Sequence, residues 1–141
     1  MKKLILLIAV VCMISSSYAQ VLTLSDVPPA ISKSFVKSHS KVTTVEWSKT
    51  GTNFKANYVV DSTDRSVTYT PIGKVIETEK QISVASLPTE VIKYLNTNFK
   101  DSYVKKASQI TSSKGKVNYC VKIKDVTLMF DANGKNITPA I

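Results

Sequence analysis

The sequence predicts an α+β fold: a tandem repeat of one helix followed by a four-stranded antiparallel sheet, with the helices packed on one face. Two observations carry this. The first is internal repetition at an offset of 61. Asn57-Tyr58-x-Val60 returns as Asn118-Tyr119-x-Val121, Asp64 as Asp125, and Gly73-Lys74-x-Ile76 as Gly134-Lys135-x-Ile137, which is seven identities in 20 positions. Upstream, Val27-Pro28 with Ile31, Phe35 and His39 answers to Leu87-Pro88 with Val91, Leu95 and Phe99. The second observation is a change of apolar period, from helical spacing after each Pro to strict alternation beyond it. The expected organisation is a signal peptide at 1–19, a first repeat at 20–83 and a second at 84–141.

The leader is read from Lys2-Lys3, an apolar run from Leu4 to Ile14 and a small-x-small site at Ser17-Tyr18-Ala19. About eleven apolar residues fall short of the roughly 20 that span a bilayer, so cleavage and export to the periplasm or beyond are expected, with no membrane insertion afterwards. Cys12 leaves with the leader. No disulfide is therefore expected in the 122 residues that remain, and Cys120, within a strand pattern, is read as a small hydrophobe.

In the first repeat, Ser25-Asp26 can cap a helix opened by Pro28-Pro29, because proline in a first turn lacks no needed donor. Ile31 and Phe35, with His39 one turn on, set its inward stripe. From Lys41 the period is two. Thr43, Val45 and Trp47 make the first strand, and Phe54, Ala56, Tyr58 and Val60 mark the inner side of the second. Asp61-Ser62-Thr63-Asp64 turns the chain into a strand through Val67 and Tyr69. Pro71-Ile72-Gly73 turns it again into Val75 to Ile82.

Ser86-Leu87-Pro88 restarts the pattern. Val91, Ile92, Leu95 and Phe99 form a helix stripe, followed by strands from Tyr103 to Thr111, Val117 to Ile123 and Val126 to Phe130. Asp131-Ala132-Asn133-Gly134 then closes a hairpin onto Asn136 to Thr138.

Chemistry-bearing signatures are absent from the pattern. The one histidine, His39, occupies a helix-stripe position and is read as a packed structural residue, so no histidine pair is available for a metal or for acid-base work. Asp131-Ala132-Asn133-Gly134 has its glycine in fourth place, not the sixth of a calcium loop, and is a turn. No catalytic residue, metal or cofactor is expected, and the chain is read as no enzyme.

The formal charge is +9, or +7 once Lys2 and Lys3 are gone. Its lysines are scattered, which solubilises a surface and argues against nucleic acid as partner. The sheet face turned away from the helices carries polar residues among Val59, Cys120 and Met129, and this mixed face is the candidate interaction surface. Candidate binding residues are Trp47, Lys55, Asn57, Asn118, Lys122 and Met129. Trp47 has no aromatic counterpart in the second repeat, where Ala107 takes its place; it is either an interface anchor or the side chain that fills the space beside the first helix.

These residues resemble a known family. The leader, the (Val/Leu)-Pro helix openings, Glu46-Trp47, the Asn-Tyr-x-Val strands and the Gly-Lys hairpins, all within about 120 residues, resemble the periplasmic PepSY-like proteins of Gram-negative bacteria. Those proteins are themselves similar to β-lactamase inhibitor protein. The resemblance implies two helix-plus-four-strand repeats whose sheets meet as one curved surface with the helices behind, and a partner gripped by the open face. The expected function is a non-enzymatic periplasmic binding protein, inhibitor-like, that engages a protein of the cell envelope. A small ligand or polyanion of the envelope is the alternative.

Overall fold

The computed structural model describes residues 20–139; the leader, and with it the fate of Cys12, lies outside them. The chain order is β1 (Val21–Leu22), α1 (Pro29–Ser38), β2 (Val45–Thr50), β3 (Asn53–Val60), β4 (Thr63–Tyr69) and β5 (Val75–Ile82). It continues as α2 (Thr89–Asn98), β6 (Val104–Ser112), β7 (Val117–Ile123) and β8 (Val126–Asp131). Short 3-10 turns at Leu24–Asp26 and Val84–Ser86 lead into the two helices.

The expected pair of four-stranded repeats, each with its helix, is corrected by the sheet itself. Among the described residues, eight strands form a single antiparallel sheet in sequential order from β1 to β8, accompanied by two ten-residue helices. Strands β5 and β6 are hydrogen-bonded neighbours from Glu77↔Ser112 to Ile82↔Ala107, so no sheet edge separates the first half from the second. Alternation reports which face a side chain takes but is blind to what pairs along an edge. The strand count also differs. Val21–Leu22 adds to β2 opposite Ser48 and Trp47, while the hairpin strand expected at Asn136 to Thr138 is reduced to one bridge, Phe130↔Asn136.

Both helices begin after a proline in extended conformation, Pro28 and Pro88, where the ring fixes φ and no donor is lost. Ser25 and Asp26 do not cap α1. Asp26 turns back instead to accept hydrogen bonds from the Thr23 amide and hydroxyl, which hold its carboxyl below its ordinary value.

The core on the helix side forms two clusters. Ile31 and Phe35 of α1 meet Trp47, Phe54, Ala56, Tyr58, Val67 and Tyr69. Val91 and Leu95 of α2 meet Ala107, Val121, Ile123, Leu128 and Phe130. His39 stacks on Phe35 at 4.6 Å and meets Tyr58 edge-on at 5.0 Å, the packed role its stripe position implied.

Each helix start is met by a glycine turn. Gly73 and Gly134 both adopt positive φ, +84° and +81°, and each lies against the first turn of the preceding helix. A methyl group at Gly73 would stand 3.0 Å from the Ala30 carbonyl oxygen; one at Gly134 would stand 2.6 Å from the Glu90 Cβ. Glycine is needed at both places for conformation and for clearance.

Candidate binding face of the sheet

Phe54, Ala56 and Tyr58 of β3 lie among the helix-side core, so Lys55, Asn57 and Val59 take the opposite face. Cross-strand register carries that face outward. Lys55 pairs with Thr68 and Asn57 with Ser66; Ser66 and Thr68 pair in turn with Glu79 and Glu77. Glu79 and Gln81 meet Ile110 and Ser108, and Ser108 meets Cys120, which meets Met129.

A cleft of about 720 Å³ opens on the β2–β5 half of this face. One wall is the segment 41–44 between α1 and β2; Lys55, Asn57, Ser66 and Glu79 line its sheet side, and Lys106 and Ser108 of β6 close it. It also reaches Tyr58, Asp64 and Arg65. The exposed Val59, at 59 %, supplies an apolar element.

Two ion pairs organise the charge. Lys55 Nζ lies 3.0 Å from Glu79 Oε2, with both side chains about one-fifth exposed, and the Ser66 hydroxyl donates weakly to the same oxygen at 3.5 Å. Lys106 Nζ lies 3.6 Å from Asp64 Oδ2 at a more exposed position. Burial pushes the Glu79 carboxyl up, but the Lys55 ammonium, hydrogen bonds from Lys55 and Ser108, and the charge of Lys106 outweigh it. Its carboxyl is held below the ordinary value. Glu77, two residues away and 7 % exposed, is pushed up by burial and by the charge of Glu79, against the pull of Lys55. Neighbouring carboxylates on one strand face are thus driven in opposite directions.

The sequence-derived candidates fall into three places. Lys55 and Asn57 line the cleft together. Asn118, Lys122 and Met129 lie on the same face but across β7 and β8, outside the cleft. There Met129 packs with Ile110, Cys120 and Ile137, Asn118 is 3 % exposed with its Oδ1 lacking a hydrogen-bond partner, and Lys122 is half-buried. Trp47 sits on the helix side, 3 % exposed and edge-on to Phe35 at 5.5 Å, where it fills the space beside α1.

Sequence reading missed Glu79, Gln81, Lys106, Ser108 and the segment 41–44. The signal was present in β5, where Glu77, Glu79 and Gln81 alternate with Thr78, Lys80 and Ile82. Carrying the alternation through β5 and β6 would have put Glu79, Gln81, Lys106 and Ser108 on the open face, though it would not have paired them. Among the described residues no group of three or more His, Cys, Asp or Glu side chains comes together to hold a metal. His39 hydrogen-bonds locally, to the Ser38 hydroxyl and the Phe35 carbonyl, and lies outside the cleft lining.

Two overlapping segments, 12–77 and 56–138, match the family described as "Putative beta-lactamase-inhibitor-like, PepSY-like". A structure described as one of "putative periplasmic proteins" from Bacteroides eggerthii superposes with a TM-score of 0.71 at 14% identity, covering 78% of this chain and 85% of that one. A DUF2874 family protein from Bacteroides uniformis gives 0.68 at 14% identity, covering 78% and 86%. A BLIP-like protein from Bacteroides fragilis gives 0.58 at 18% identity, covering 81% and 89%. At these identities the likeness is one of fold. No curated protein matches the chain.

Proposed function

The chain belongs to the beta-lactamase-inhibitor-like, PepSY-like family, and from that premise we propose that it is a non-enzymatic periplasmic binding module. Its cleft on the open sheet face engages a protein of the cell envelope, in an inhibitor-like manner. The observation that carries this is the cleft itself: a concavity of about 720 Å³ on the open face of the sheet, with Lys55 held by Glu79 at 3.0 Å within it. Groups held in position before binding lose little freedom when a partner arrives. A structural neighbour described among "putative periplasmic proteins" supports the location. On this reading residues 1–19 are removed on export, and the two halves derive from one unit used twice. The parallel seating of Gly73 and Gly134 against their helices supports the second point.

The test is steric. Asn57→Trp places a large side chain that strands tolerate well on the cleft floor. The purified chain, lacking residues 1–19, is used to capture proteins from its own envelope fraction at low and high salt. We expect one protein to be retained at both salts by the natural chain and lost with Asn57→Trp, while the melting temperature stays within a few degrees. Loss with Lys122→Glu but not with Asn57→Trp moves the site to the β7–β8 half. Recovery of polyanions alone, vanishing at high salt, refutes a protein partner.

A further inference from the structure

We infer that the segment seated in this cleft places one carboxylate between Lys106 and Lys122, at the β6 side of the cleft; the inference rests on the cleft being the binding site. Lys106 and Lys122 are cross-strand partners on β6 and β7. Ala107, Val121 and Ile123 beside them pack in the helix-side core, so both lysines stand on the open face. Lys106 lines the cleft, and Lys122 borders it one strand further out.

Like charges directly opposite one another in an antiparallel ladder destabilise it. The surroundings leave this pair short of countercharge. Lys106 has Asp64 Oδ2 at 3.6 Å, with both side chains about half exposed, and Lys122 has no carboxylate within ion-pair distance among the described residues. On its other side Lys122 faces the uncharged Thr127. Lys55, by contrast, is held by Glu79 at 3.0 Å in a more buried place, and Arg65 lies opposite Tyr58, in line with the helix-side residues Val67 and Tyr69. The lysine pair is therefore the cationic group that the open face still offers to a partner. A register shift between Val104 and Lys106 interrupts β6 just before it, an irregularity of the kind that re-aims a side chain at a site.

The register and the lining together select the occupant. Cβ atoms of directly opposed residues lie about 4.5–5.5 Å apart, a spacing from which two lysine ammonium groups can converge on the two oxygens of one carboxylate. The rest of the cleft limits how many acids the occupant carries. Glu46, Asp64 and Glu79 line it, so a polyanion laid along it would meet like charge. Val59, exposed on the same face and the cross-strand partner of Asp64, supplies an apolar contact beside the pair. The matching occupant is a protein segment with an Asp or Glu next to an apolar residue, and the formal charge of +9 favours an acidic partner at longer range.

The probes are the acetylated, amidated peptides Ser-Leu-Glu-Leu-Ser and Ser-Leu-Gln-Leu-Ser, which differ by one carboxylate, together with inorganic phosphate. Each is titrated into the 15N-labelled chain lacking residues 1–19. We expect the glutamate peptide to shift the backbone amides of 105–107 and 121–123, with a Kd at least about threefold below that of the glutamine peptide. Lys106→Gln and Lys122→Gln should each reduce that difference, and the double variant should erase it. Lys122→Gln also separates binding from a structural role: with the like charges parted, it should melt no lower than the natural chain while holding the glutamate peptide less well.

Equal binding of the two peptides at cleft amides overturns the carboxylate assignment and leaves the cleft reading standing. A preference for glutamate that survives the double variant overturns the role of the lysine pair, as does a Lys122→Gln chain that melts lower than the natural one. Phosphate that competes at the same concentration as the glutamate peptide overturns a protein segment as the occupant. If neither peptide shifts the amides of β6 and β7 the assignment falls, while Asn57→Trp still decides the cleft.

Discussion

Replacing Gly134 by alanine tests how the last hairpin is seated. Gly134 closes the turn after β8: its amide donates to the Asp131 carbonyl at 3.0 Å, and Asp131 Oδ1 accepts from the amides of Asn133 and Lys135. At φ +81° an L side chain costs about 1–2 kcal/mol. A Cβ there would also meet the Glu90 Cβ at 2.6 Å and the Val91 nitrogen at 3.1 Å, both in the first turn of α2. Relief of that contact requires the turn or the helix to shift, an overpacking cost of about 1–3 kcal/mol. Gly115 is the control. It has nearly the same φ, +80°, but a Cβ there meets nothing within 4 Å, so only the conformational cost applies. The expected result is that Gly134→Ala destabilises by about 1–3 kcal/mol more than Gly115→Ala, a further fall in Tm of roughly 3–15 °C for a chain of this size. Urea unfolding of both variants, with unchanged m-values, measures it. Equal losses, within about 0.5 kcal/mol, would show that the hairpin does not rest on α2 and would refute the packing argument.

Glu77 and Glu79 give opposite pH signatures. A raised folded pKa at Glu77 means stability present below its ordinary value near 4.5 and lost as pH rises through the folded value, so Glu77→Gln should stabilise the chain at pH 7 and gain little near pH 4. Glu79, held low, contributes stability above 4.5 that is lost as pH falls through its folded value; Glu79→Gln should therefore destabilise at pH 7 and converge on the natural chain in acid. Thermal melts across that pH range check both, and a Glu77→Gln variant less stable than the natural chain at pH 7 would contradict the assignment. Lys55→Glu removes the 3.0 Å partner of Glu79 and adds a third carboxylate beside Glu77, so it should cost about 2–3 kcal/mol, below the range for a fully buried pair because both side chains are one-fifth exposed. Lys55 is on that account a poor probe of binding by itself, and a variant that melts unchanged would mean the pair contributes nothing.

Much of the fold was legible in the sequence because local chemistry decided it. Pro28 and Pro88 set the helix starts, the spacing of Ile31 with Phe35 and of Val91 with Leu95 chose the inward faces, and alternation in β3 put Lys55 and Asn57 opposite the core. Gly73 and Gly134 marked turns that only glycine fits so closely against a helix. The PepSY-like resemblance, read from motifs in order, was matched by the family model over both halves.

Tertiary structure alone decided the rest, and the reason in each case is that the deciding partner is distant along the chain. Nothing local to β5 or β6 states that their edges pair, so two expected sheets became one. Trp47 follows the same alternation as its neighbours, yet only the position of Phe35 shows that it fills the core beside α1. The ion pair of Lys55 with Glu79 spans 24 residues and needs β4 between them to bring it to 3.0 Å. The cleft depends on the segment 41–44, β3 and β6 meeting around that pair. Sequence determined which residues face together; long-range pairing decided which of them meet, because a period records orientation and carries no record of the neighbouring strand.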